Sequence, residues 1–263
     1  MKLRASFLLV LLAMTVSAYA GTVTLGTAGS FAVLGASTVT NTGDTVLNGN
    51  LGLYPGTSIT GFPPGVVNGT IYDDDPGGVA MQAQADALTA YNVLAGLSSN
   101  GNLSGQDLGG LTLTPGVYTF NSSADLTGTL TLNAQGDPNA LFVFQIGSTL
   151  TTASGPSASS VVFINGGPLA NLFWQVGSSA TIGTYSSFYG SILADQSITV
   201  DTGATIGCGR ALALNAAVTL DTNTISTDDC AAPPSVPEPS SALLLASGLI
   251  VGAAWIILAR ARL

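Results

Sequence analysis

The chain has 263 residues, enough for one large domain with its own core, and only 7% of them are charged. Between residues 21 and 236, 13 Asp stand against a single Arg, Arg210, which excludes a nucleic-acid partner because phosphate binding draws on clustered Lys and Arg. There is no histidine, so the commonest general base and the commonest metal ligand are both missing, and we expect no catalytic residue, cofactor or metal site.

Residues 1–20 carry Lys2 and Arg4, then an apolar run over 7–16, then small residues at Ala18 and Ala20. That order predicts an export signal cleaved before Gly21. Residues 21–69 are rich in Gly, Thr, Val and Leu with strand-like alternation, punctuated by Tyr54-Pro55-Gly56 and Pro63-Pro64-Gly65. Asp73-Asp74-Asp75 then leads into a helix predicted over about 79–95, with Ala80, Ala83, Ala87, Tyr91 and Leu94 on one stripe and Gly96 as its stop. The three carboxylates fit a solvated loop favoured by the helix N-terminus, since no ligand-spaced Glu follows as a calcium loop requires. Strand character resumes over 101–120.

From about 126 to 225 one phrase recurs, an aliphatic or small residue between two small or hydroxylated ones: Thr129-Leu130-Thr131, Thr149-Leu150-Thr151, Ser179-Ala180-Thr181, Ser197-Ile198-Thr199 and Ala217-Val218-Thr219. Residues two apart on a strand share a face, so each copy aims its middle residue inward and the flanking pair outward. The steps between copies are 20, 30, 18 and 20 residues, which suits one coil of a solenoid, the longest step holding an inserted loop. A run apolar on both sides precedes each later phrase, as in Leu141-Phe142-Val143-Phe144 and Phe173-Trp174-Gln175-Val176, and a strand of that kind is covered on both faces. A third segment follows the phrase. The fold predicted is mainly β: a three-faced β-helix, one face covered by the alanine-lined helix lying over Phe142, Phe144, Trp174 or their neighbours. The N-terminal part joins the same stack, because residues 32–46 align without a gap on 192–206 and Ser58-Ile59-Thr60 repeats the phrase.

The two cysteines, Cys208 and Cys230, could pair in an oxidising compartment and close the end of the solenoid. A short Pro-rich linker begins at Ala231, followed by Val236-Pro237-Glu238-Pro239 within 231–241, an uncharged apolar stretch at 242–259 long enough to span a bilayer, and a basic tail at 260–263 with Arg260 and Arg262. This three-part ending resembles the C-terminal sorting signal of Gram-negative bacteria that is cut by an exosortase-type transpeptidase. The resemblance implies that enzyme as a partner, the membrane as an anchor before processing, and a final place in the cell envelope or outside it.

The body, from about 23 to 225, resembles the right-handed, discontinuous β-helix ice-binding proteins of bacteria, fungi and microalgae. The stretches that carry the likeness are LGTAGSF at 25–31, NGNLGLYPGTSITG at 48–61, LTLTPGVY at 111–118, LFVFQI at 141–146, NLFWQV at 171–176 and GRALALNAAVTLDTNT at 209–224. The family motif is an outward Thr, then Ala or Gly, any residue, then Thr or Asn; GTLT at 128–131, STLT at 148–151, SSAT at 178–181, QSIT at 196–199 and AAVT at 216–219 keep its last threonine. The resemblance implies a non-enzymatic, monomeric protein whose partner is an ice surface, held through Thr129, Thr131, Thr149, Thr151, Ser179, Thr181, Ser197, Thr199, Ala217 and Thr219. A competing phrase, Thr202-Gly203-Ala204-Thr205, marks the third face. An adhesive or structural surface protein on the same scaffold is the alternative. A polysaccharide-cleaving β-helix is the weaker one, since the coils offer only scattered turn carboxylates such as Asp195, Asp201 and Asp221.

Overall fold

The computed structural model describes residues 23–73, 77–137, 139–166 and 171–228. The export signal, the linker with its Pro-Glu-Pro triplet, the apolar stretch at 242–259 and the basic tail lie outside those residues, as do Asp74, Asp75 and Cys230. Among the described residues no helix is long and apolar enough to cross a membrane.

The strands wind into coils of three short segments, and every pair of neighbouring strands is parallel, as between Phe142–Ile146 and Leu172–Val176 or Ile198–Val200 and Val218–Asp221. Three faces result. The first stacks Gly101–Asn102, Gly116–Phe120, Phe142–Ile146, Leu172–Val176, the second halves of Ser187–Ala194 and Thr205–Ala213, then Phe31–Gly35, Asn50–Leu53 and Ile71–Tyr72. The second stacks Ala124–Leu126, Leu150–Thr152, Ala180–Ile182, Ile198–Val200, Val218–Asp221, Thr38–Thr42 and Ser58–Thr60. The third runs from Thr112–Leu113 through Thr129–Asn133 and Ser160–Ile164 to the first halves of the two long strands, then Thr224–Ser226, Val46–Asn48 and Val66–Asn68. Ser187–Ala194 passes from third face to first by bending at Gly190, whose φ of 93° and close approach to Leu172 leave no room for a side chain.

The stack is out of sequence order. The first coil of the chain sits on the last, with Val33 opposite Ala211 and Thr40 opposite Thr219. The gapless alignment of 32–46 on 192–206 is therefore one residue out: Val33, not Ala32, shares a row with Ile192 through Ala211. A single-residue slip matters because it exchanges the inward and outward sets of a strand.

Alternation fills the interior. Leu150, Ala180, Ile198, Val218 and Val39 stack beneath the second face, all at or near zero exposure. Beneath the first, Tyr118, Phe144 and Trp174 form an aromatic ladder, with Phe144 and Trp174 stacked at 4.2 Å between centroids, and Phe188 of the third face packs its ring against Trp174. The Trp174 indole N–H donates to the carbonyl of Tyr189 at 2.9 Å, which satisfies its one polar atom in the core.

The helix, Val79–Ala95, returns the chain from one end of the stack to the other. At 1.5 Å per residue it is about 25 Å long, close to five strand spacings. Its buried stripe is Ala80, Ala83, Ala87, Ala90 and Leu94, and Tyr91 packs at the stripe's edge. It lies on the first face, but against Val117, Val143, Phe173, Leu193, Leu212 and Leu34. Of the two sets the sequence allowed, the neighbours Val143 and Phe173 lie under the helix, while Phe142, Phe144 and Trp174 point into the solenoid, because residues of opposite parity on one strand face opposite ways. Gln145 donates from its side-chain amide to the carbonyls of Leu94 and Leu97 at 2.7 and 2.8 Å, tying down the C-terminal end of the helix.

Candidate binding face

The second face carries the recurring phrase, and its register can be read row by row. In one outward row Thr151, Thr181, Thr199, Thr219, Thr40 and Thr60 lie opposite one another across six successive coils. In the parallel row two residues earlier stand Thr149, Ser179, Ser197, Ala217, Thr38 and Ser58. Neighbouring coils in such a stack are about 4.8 Å apart, and outward residues two apart on a strand about 6.7 Å. The result is a flat two-row grid of methyl and hydroxyl groups.

Side-chain contacts hold the grid. The hydroxyls of Ser123 and Thr149 are 2.8 Å apart, and the Thr40 hydroxyl lies 3.4 Å from that of Thr219. Branching at Cβ already restricts each threonine to few χ1 values, so little freedom is left to lose on contact. The core residues beneath hold the strands from the other side. No Lys, Arg or Glu stands in either row.

Eight of the ten residues expected in the site share this face: Thr149, Thr151, Ser179, Thr181, Ser197, Thr199, Ala217 and Thr219. Thr129 and Thr131 do not. They pair with Ser160 and Val162 on the third face, because the chain has already turned the corner at Gly128, whose φ is 84°. The residues of that coil on the second face are Ser123, Ala124 and Asp125. A Thr-Leu-Thr phrase reads alike on any half-buried strand, so the phrase could not separate the two faces. The face also includes Thr38, Thr40, Ser58 and Thr60; Ser58-Ile59-Thr60 displayed the signal, whereas Thr40 was hidden by the one-residue slip.

The third face is less regular. Its rows of Thr129, Ser160, Ser187, Thr205 and Thr224, and of Thr131, Val162 and Tyr189, continue into Val46, Val66, Asn48 and Asn68. The bulky ring of Tyr189 and the chain-end valines interrupt any uniform surface there.

The corner carboxylates are absorbed in turns. Asp221 accepts from the hydroxyls of Thr202 and Thr222 at 2.5 and 3.0 Å, and Asp195 accepts from the amide of Asn215 at 3.0 Å. Among the described residues no group of acidic, Cys or His side chains is placed to hold a metal ion. Cys208 is buried, and no free thiol occurs among the described residues.

Comparison with known proteins agrees with this fold. Residues 33–226 match the model of a family described as Ice-binding-like. The chain is 61% identical over 231 residues to an ice-binding protein of Nostoc sp. (strain HG1), covering 86% of this chain and 83% of that protein. The crystal structure of an ice-binding protein from an Antarctic biological consortium superposes with a TM-score of 0.73 at 51% identity, over 78% of this chain and 90% of that one. That of an ice-binding protein from the ascomycete Antarctomyces psychrotrophicus also gives 0.73, at 44% identity, over 77% and 97%. By sequence and by fold, the chain belongs to the Ice-binding-like family.

Proposed function

We propose that this protein binds ice through its second face, slowing ice growth and recrystallisation, and that it does so without catalysis. The observation that carries the reading is the row of six threonines, from Thr151 to Thr60 in stack order, with no break and no charge. A rigid grid of methyls and hydroxyls orders the water above it, and the ordered layer merges with the crystal. Molecules so adsorbed pin the advancing front, which must bulge between them, and the added curvature lowers the local freezing point. A charged surface would hold its own hydration shell instead.

The test is a bulky residue at the middle of the grid. Thr199→Tyr lifts the ice surface off several neighbouring contacts and should abolish most recrystallisation inhibition, with a melting temperature close to that of the parent because the side chain is outward. Thr205→Tyr, on the third face, should keep activity. The reverse pattern would place the site on the third face.

The ends of the chain support export: a signal at 1–20 and a Pro-Glu-Pro, apolar, basic ending at 237–263 that a sorting transpeptidase of a Gram-negative cell would read. On this reading the mature protein is monomeric, in or beyond the envelope, and touches the membrane only before processing.

A further inference from the structure

The threonine row does not end in threonine. In the coil beyond Thr151 the same position is Asp125, paired with Thr151 in register, exposed, and the first charged side chain met along either row. Its neighbour in the stack beyond is Asp107, joined to it by a parallel bridge. Asp107 is committed to its own turn, accepting from the backbone N–H groups of Gly109 at 2.6 Å and Thr127 at 2.9 Å. Asp125 has no such task. Two carboxylates in register across adjacent strands repel one another, and Asp is a poor strand former where Thr is a good one, so local stability does not account for its presence. Ser123, two residues earlier in the same coil, continues the hydroxyl row through its contact with Thr149.

We infer that Asp125 is the boundary residue of the ice-binding surface: its hydrated carboxylate excludes ice from its own coil and confines contact to the six coils from Leu150–Thr152 to Ser58–Thr60. An ionised carboxylate loses far more on dehydration than a hydroxyl, and it has no protein donor to replace the water. Ice that meets the face at this end stops where the charge begins. The opposite end, at Ser58 and Thr60, carries no such stop, so the grid has one charged and one open margin. This inference rests on the second face being the ice-binding one.

The experiment compares Asp125→Thr, Asp125→Asn and the parent in recrystallisation inhibition, with Asp137→Asn as a control that removes one exposed charge from a loop away from the face. Asp125→Thr should lower the concentration for half-maximal inhibition roughly fourfold, what burying one more methyl group yields, and should not lower the melting temperature. Asp125→Asn should move the same way by less, and it carries the test if the threonine variant melts early. Asp137→Asn should change nothing. Unchanged or weaker inhibition by natively folded Asp125→Thr and Asp125→Asn, alongside an inactive Thr199→Tyr, overturns the boundary while leaving the face intact. An active Thr199→Tyr overturns the face itself.

Discussion

Asp86 shows how one carboxylate can organise a contact between distant parts of the chain. It lies on the helix and accepts from the backbone N–H of Thr27 at 2.7 Å, while the amide of Gln82 donates to its other oxygen at 2.8 Å. Gly26 packs so closely against it that a Cβ there would overlap the carboxylate. The Thr27 N–H holds the Asp86 carboxyl below its ordinary range. Burial raises Asp107, but the N–H groups of Thr127 and Gly109 outweigh it, and that carboxyl too titrates low. A carboxyl depressed on folding contributes stability above its unfolded value, about pH 4, and that contribution vanishes as pH falls through the folded value. Asp86→Asn should therefore melt below the parent at neutral pH, and the gap should close under acid. Melting curves from neutral pH down to about pH 2 check this.

At the scale of the element, the helix depends on how close it can come to the first face. Ala83, Ala87 and Ala90 are at or near zero exposure against Val143, Phe173, Leu193 and Leu212. Small side chains permit that approach, and Gln84 adds hydrogen bonds from the helix to the carbonyls of Gly35 and Ala213 at 2.9 and 3.1 Å. Ala87→Leu, although a good helix former, should cost about 1–3 kcal/mol by forcing helix and sheet apart, read as a lowered melting temperature. Ice activity at temperatures where the protein stays folded should persist, since the second face is remote from the helix. The alanine stripe was legible because period 3.6 with a glycine stop leaves few alternatives. Which aromatics lie under it was not, since the runs around Phe142 and Trp174 are apolar on both sides and carry no parity signal.

For the whole molecule the decisive feature is the stacking of the chain's first coils on its last. Phe31–Gly35 pairs with both Thr205–Ala213 and Asn50–Leu53, so residues far apart in sequence share one core and one threonine row. Phe62 packs against the core near one end of the stack, and Leu103 and Leu111 near the other. We propose that Cys208 and Cys230 form a disulfide that secures the end of the chain body. Oxidised protein should then show no free thiol when denatured, and reduction should lower its stability by about 3 kcal/mol. Two titratable thiols in exported protein would refute the pairing.

The sequence by itself determined the solenoid, its three segments per coil, the helix that covers one of them, and the threonine phrase. Those are properties of alternation, composition and spacing, written locally in every coil. Tertiary structure decided which copies of the phrase meet. A strand's pattern tells which residues alternate but not which face of a triangle it occupies, so Thr129 and Thr131 left the row, while Thr38, Thr40, Ser58 and Thr60 entered it through pairing between the two ends of the chain. Asp125 took the place left by Thr131 for the same reason: the turn at Gly128, not the phrase, sets where one face stops and the next begins.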